Sequence, residues 1–422
     1  MPLLDCRHFN GYKPCGLHAE CAPGCPSYDR PAERILIVHL GAIGAVLRST
    51  SLLRAIKRKY PSSHLTWVTK APADQLLRHN PLIDKVLPLS LETELQLRTL
   101  FFTVGFVIDK DPVAAGILKG TKVDRMFGFT VMSRTGAIVP LNEEANELWN
   151  IGLSDKKKFF ENKKPETQLV HEALALGPYQ RDNYFLPLTL DEIKTVKNLN
   201  CQWRIDPNQP VIGINTGCSD FMPAKKLTIE FHRKLIQEMN QSGLINIVLL
   251  GGKEDTERNA AIAKGLPVIL SETQKGLRNG ALSVDACDVV VTGDSLGMHL
   301  AIARKKFVVA WFGPTCAHEI DLYQRGVKVL TQSQCSPCWK RVCQQSVMCY
   351  DEVSLSELMA GVDKGIQWWR SRNLVADVQA VNAAPTNSDH SNRIPWGLAA
   401  DHSLDEEFAE DSPRGTNHPD LP

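Results

Sequence analysis

Arg34-Ile-Leu-Ile-Val-His-Leu40, followed at once by Gly41-Ala-Ile-Gly44 and then by a helical pattern over 46–60, decides the fold. The apolar run is short and nearly continuous, as in a strand buried on both faces. The glycines permit a tight turn and close backbone approach, and the helix behind them favours an anion at its N-terminus. Arg54, Lys57, Arg58 and Lys59 lie toward the helix's negative end, and Pro61 stops it. The turn lacks the third glycine of a dinucleotide fingerprint, so a plain βα turn explains Gly41 and Gly44 as well as a ligand loop does.

The same alternation continues outward. Strands are expected over 64–69, 85–89 and 104–108, with a helix over 73–79. The region 120–185 reads as loops and helices, and 181–190 as a linker. Strands then return over 210–215, 246–250, 288–292 and 306–312, with helices over 228–240, after Gly251-Gly252, and over 295–303. An amphipathic helix over 354–369 carries Leu355, Leu358, Met359, Val362 and Trp369 on one stripe. The expectation is two doubly wound domains facing across a cleft, a Cys-rich extension over 1–32, a first domain over 33–185, a second over 186–373, and a disordered tail over 374–422.

The 422 residues, 43% of them hydrophobic, suffice for two cores, since single cores stop growing near roughly 250–300 residues. A net charge of +1 gives no reason to expect nucleic acid. No apolar run is long enough to cross a membrane, and 1–9 is no secretory signal. A cytoplasmic location is expected, with peripheral contact on the inner membrane surface left open.

Ligands in such folds sit beyond the carboxyl ends of the strands. Four motifs fall there. Gly41 and Gly44 close the first strand. Asp109 and Asp111 follow the strand over 104–108, where a carboxylate can take a proton from an acceptor hydroxyl, or simply cap the next helix. Asn215-Thr-Gly-Cys-Ser219 with Lys225-Lys226 gathers hydroxyls, backbone N–H groups and lysines, a pocket suited to a diphosphate or a solvated basic loop. Asp294, Ser295 and His299 open the helix after 288–292, as ligand-binding groups or as an N-cap and a core histidine.

Eight of the twelve cysteines form two groups. Cys335, Cys338, Cys343 and Cys349 have a tight first pair. Cys6, Cys15, Cys21 and Cys25 are more loosely spaced. Four thiolates suit zinc or iron, in one site or two, and a structural staple is the expectation; reduced free thiols are the bland reading.

Together these segments resemble glycosyltransferase family 9, the ADP-heptose:lipopolysaccharide heptosyltransferases. The stretch 34–44 with Leu53-Arg-Ala-Ile-Lys-Arg-Lys-Tyr-Pro61 resembles the family's opening. Thr292-Gly-Asp-Ser-Leu-Gly-Met-His299 and Phe312-Gly-Pro-Thr315 resemble its donor segment, and Asn215-Thr-Gly217 with Lys225 its phosphate loop. Cys335, Cys338, Cys343 and Cys349 resemble a Cys-rich segment of many members. The resemblance implies a GT-B fold and transfer of heptose from ADP-heptose, or a similar nucleotide sugar, to a lipopolysaccharide-type glycan with inversion. Lys225, Thr216 and Ser219 would hold the diphosphate, Asp294 and Ser295 the sugar or diphosphate with His299 in support, and Glu254 or a neighbouring acid the adenosine. No catalytic divalent metal is implied.

The chain departs from that pattern at Ala45, where many members carry the aspartate taken as general base. Asp109 or Asp111 is the expected replacement. The competing readings are a non-catalytic sugar-nucleotide or glycan-binding protein on the same fold, and a metal-stapled scaffold.

Overall fold

The computed structural model describes residues 3–9, 11–220, 222–241 and 243–383. Residues Met1–Leu374 form one unit, and Val375–Pro422 a second. The first unit holds two six-stranded sheets. The first comprises β1 (Glu33–Val38), β2 (Ser63–Thr69), β3 (Lys85–Pro88), β4 (Phe101–Val107), β5 (Lys122–Val131) and β6 (Ile138–Pro140), in the order β3-β2-β1-β4-β5-β6. The second comprises β7 (Val211–Asn215), β8 (Asn246–Leu250), β9 (Ile269–Leu270), β10 (Val289–Gly293), β11 (Phe307–Phe312) and β12 (Gly326–Leu330), in the order β12-β11-β10-β7-β8-β9. Every pairing is parallel except β5 with β6.

The helices are α1 (Ile43–Ser49), α2 (Leu52–Lys59), α3 (Asp74–Leu77), α4 (Leu91–Thr99), α5 (Pro112–Lys119), α6 (Asn146–Gly152), α7 (Glu166–Ala173) and α8 (Leu190–Gln202) in the first stretch. Then come α9 (Ile229–Asn240), α10 (Thr256–Ala263), α11 (Leu277–Asp285), α12 (Leu296–Ala303) and α13 (Leu355–Ala383).

Strand side chains alternate between faces, so each sheet feeds two cores. On β1, Ile35 and Ile37 join Leu53 and Ile56 of α2, while Leu36 and Val38 join Leu118 of α5 and Leu97 of α4. In the second sheet Val290 and Val308 pack on α11 and α12, whereas Val289 and Val309 pack on α13. Leu47 of α1 is buried in the core of the second sheet beside Met298. That burial contributes about 1.5–3 kcal/mol to holding the halves together.

Several expectations need correction. The helix over 46–60 is two helices, because Ser49 and Thr50 turn their hydroxyls on the backbone at the break. Ser49 Oγ donates to Ala45 O and Thr50 Oγ1 to Leu47 O. The region 120–185 contains the hairpin β5–β6. Its first strand hides its pattern behind Lys122, Asp124 and Arg125 at a sheet edge. On α13 it is Trp368 that packs, its ring 5.8 Å from Phe307. That helix also runs to Ala383, beyond its expected end at Trp369. The rest of the expected tail, 384–422, lies outside the described residues.

Candidate active site

Each sheet reverses its winding once. In the first sheet the reversal falls between β1 and β4, in the second between β7 and β10. A crevice opens at each reversal, at the carboxyl ends of the strands. The residues after these four strands are 39–44, 108–111, 216–225 and 294–299.

Asp109 follows β4. Its carboxylate accepts the Leu40 backbone N–H, and its Oδ1 lies 3.5 Å from His39 Nε2. Burial pushes the carboxyl up to about 6, the Leu40 N–H opposing and the Asp111 charge adding. Burial and the nearby Arg48 charge push His39 down to about 3, so the pair is a neutral imidazole beside a carboxyl near its titration point. A Cβ on Gly41 would stand 2.9 Å from Asp109 Oδ1. The glycine therefore leaves that carboxylate its space. Asp111 serves differently, as the N-cap of α5, accepting from Val113 N and Ala114 N.

Gly44 faces the other half. A Cβ there would meet His299 Cδ2 at 2.5 Å, where α1 crosses α12. His299 stacks on Tyr184 with ring centroids 6.0 Å apart. Burial, then the Arg48 charge, pushes it down to about 3, so it sits there neutral. Gly44→Ala should cost about 1–3 kcal/mol by overpacking this crossing and should lower turnover. Urea unfolding and steady-state rates check it; unchanged values in both would remove Gly44 from the crossing's design.

The second sheet supplies charge. Lys225 Nζ lies 3.3 Å from Asp294 Oδ2. Burial would raise the Asp294 carboxyl, but the Lys225 ammonium, helped by the Thr315 hydroxyl, holds it below its ordinary value. Ser295 is the N-cap residue of α12 without a side-chain cap bond; its Oγ instead lies 3.0 Å from Asn215 Nδ2. Thr216 is buried, its hydroxyl donating to Asn259 Oδ1 at 2.5 Å. Ser219 is exposed on the same loop. Glu254 is exposed as well, folded over Gly252. Its neighbour Asp255 is the buried one. A Cβ on Gly217 would overlap the Asp255 carboxylate at 1.9 Å, so Asp255 props the 215–219 loop from beneath.

The residues the motifs did not reveal come from elsewhere. Arg48, one turn beyond Gly44 on α1, pairs with Glu166 at 2.5 Å. Glu319 approaches from the other half: burial and the Glu166 charge push its carboxyl up, while Lys158 and Arg48 pull it down. Cys316, His318 and Glu319 place one ligand atom each within 4.8 Å of one another and could hold a metal. In the structure Cys316 Sγ accepts from Trp339 Nε1 at 3.3 Å, and His318 Nε2 lies 2.9 Å from Lys158 O. Arg48 had one legible signal, its place one turn past Gly44 on a helix opening at the crevice. Glu166 and Glu319 had none.

The later cysteine group gathers beside β11. Ser336 Oγ donates to Gly313 O and Cys338 N to Pro314 O. Burial pushes the Cys349 thiol up to about 11, with Cys338, Cys343 and Cys335 adding to it.

Two Rossmann-like sheets, one with the largely buried Asp109 after β4 and the other with Lys225 and Asp294 after β7 and β10, make a fold of GT-B type. The model of glycosyltransferase family 9 (heptosyltransferase) matches residues 179–348. Lipopolysaccharide heptosyltransferase 2 of Escherichia coli (strain K12) is 22% identical over 311 residues, 67% of this chain and 83% of that one. Lipooligosaccharide heptosyltransferase 2 of Haemophilus influenzae is 25% identical over 300 residues, with the same coverage. Among solved structures, the family 9 glycosyltransferase from Veillonella parvula DSM 2008 superposes with a TM-score of 0.68 at 15% identity, over 80% of this chain and 98% of that one. The ADP-heptose lipopolysaccharide heptosyltransferase II of E. coli does so with 0.60 at 17% identity, over 80% and 99%. The likeness to glycosyltransferase family 9 rests on the match over residues 179–348 and on these relatives. Among the described residues no helix is long and apolar enough to cross a membrane.

Proposed function

We propose that the enzyme transfers heptose, or a closely similar sugar, from an ADP-linked donor to a lipopolysaccharide-type glycan, with inversion at the anomeric carbon. The observation that carries this reading is Asp109, a buried carboxylate at the β1/β4 crevice, opposite the Lys225–Asp294 pair of the second sheet. Asp109 takes the proton of the acceptor hydroxyl as that oxygen attacks the anomeric carbon. The bond from that carbon to the diphosphate breaks, and the pair of electrons leaves with the nucleotide diphosphate. Lys225 and the backbone N–H groups of 216–219 meet the growing negative charge. Ala45 cannot take a proton, and Asp109 supplies the carboxylate that position lacks. We place the boundary between the acceptor half and the donor half at 185/186, in the segment before α8.

The names of the relatives support the ADP-heptose donor and the lipopolysaccharide acceptor. Calorimetric titration with ADP, UDP and GDP tests the donor. Selective binding of ADP is expected. Preference for UDP or GDP would overturn the donor assignment and keep the class.

Cys335, Cys338, Cys343 and Cys349 are proposed to hold one structural zinc or iron ion. The close sequence spacing of the four, the electrostatic influence of the other three on Cys349 and the thiolate chemistry support it. Cys335→Ser with Cys338→Ser should remove about one equivalent of metal in elemental analysis and lower the unfolding temperature. Unaltered metal content would remove the site.

A further inference from the structure

We propose that Cys6, Cys15, Cys21 and Cys25 hold a single divalent transition-metal ion as four thiolate ligands, and that this ion fastens the N-terminal segment to the first sheet. All four are free thiols lining one cavity, with His8 and His18 at its wall; no three of these side chains yet bring ligand atoms within 4.8 Å of one another, so the ion draws them together on binding.

The segment has no apolar core to hold its shape. The described residues of 3–32 contain no helix, and among them only Cys6 is buried. Leu4, Tyr12 and Leu17 all point to solvent. Short cysteine-rich stretches without a core are held by disulfides or metals. Its order is local. Cys6 and Cys25 each head a turn closed by an aromatic residue, Phe9 N donating to Cys6 O and Tyr28 N to Cys25 O. Between the two turns Tyr28 Oη donates to Asp5, and Arg7 donates to Asp29. The turns therefore bring the first and last cysteine to one place, and the chain between them returns Cys15 and Cys21 to the same cavity.

Arg7 also fixes where the segment docks. It donates to Ser63 O at 2.9 Å and to Asp84 Oδ1 at 2.6 Å. Ser63 opens β2 and Asp84 precedes β3, so the segment sits at the amino ends of the first sheet. The crevice is at the carboxyl ends. The later cysteine group is beside Gly313, after β11, so the two groups form two sites. Each thiol gives its proton to solvent on binding, and the ion is structural because no step of the transfer passes near it.

The test uses the full-length protein. Zinc and iron are counted by elemental analysis in the wild type, in Cys6→Ser/Cys25→Ser, and in Cys335→Ser/Cys338→Ser. The first variant should lose about one equivalent while keeping the metal of the later group and its turnover. Should it fail to fold, alkylation of the wild type decides. Cys6, Cys15, Cys21 and Cys25 should be protected as purified and become labelled together after chelation. Two outcomes overturn the proposal: metal content unchanged in the N-terminal variant, or free labelling of these thiols before chelation. A mass deficit matching disulfides among them would overturn it as well.

Discussion

Asp109→Asn is expected to remove most of the transfer activity and yet leave the protein at least as stable. A positioned general base contributes typically 10²–10⁴-fold, so kcat should fall by about that factor. The amide oxygen can still accept the Leu40 N–H, which keeps the loop after β1 in place. The stability side follows from the carboxyl's titration. In the unfolded chain it titrates in the ordinary range, and in the folded chain burial pushes it up to about 6. Between those values the folded state holds a proton that the unfolded state has lost. Stability therefore falls as pH rises through that window and stays lower above it. Asn carries no such cost, so the variant should gain on the order of 1–3 kcal/mol near neutral pH. The same value sets the wild-type rate profile: kcat/KM should drop as pH falls below about 6, where Asp109 becomes protonated. Chemical denaturation and a pH–rate series check both halves. Unchanged turnover in the variant would sink the assignment of the base.

The strands next to the crevices were readable because burial on both faces strips them of polar residues. Ile35 to Val38, Val289 to Val291 and Phe307 to Phe312 are apolar for that reason. β5, β9 and β12 were not. β5 carries charge, β9 has two residues, and β12 interleaves Lys328, so neither period stands out. For the site, the rule that ligands lie beyond the carboxyl ends singled out Asp109, Lys225 and Asp294, because each follows a readable strand. It did not separate Asp109 from Asp111, which differ only in that one accepts from the β1 loop and the other from its own helix. It pointed to Glu254 or a neighbouring acid, and one step on a 3₁₀ turn makes Asp255 the buried one that faces Gly217. Arg48, Glu166 and Glu319 meet through tertiary approach of α1, α7 and the segment after β11. No local pattern encodes such a meeting.

Lys225→Met carries the second large effect, and here stability and activity should fall together. The ammonium holds Asp294 below its ordinary value against the pull of burial, at a side chain only 14% exposed. Removing it leaves a buried carboxylate without its cation, a change that costs about 3–5 kcal/mol when the buried pair is broken from one side. Asp294 responds by holding its proton to higher pH. The stability supplied by the pair is present above the ordinary carboxylate value and is lost as pH falls through the depressed one. The gap between wild type and variant should therefore be full near neutrality and close in acid. Activity should fall by about 10²–10³, because the diphosphate loses a preorganised positive charge as its own negative charge grows. Lys225→Met combined with Asp294→Asn separates the two roles. With no buried charge left unpaired, the double variant should regain much of the lost stability and none of the lost turnover. A double variant as unstable as Lys225→Met alone would show that the pair does not carry the stability assigned to it. Recovery of turnover in that variant would remove Lys225 from the diphosphate.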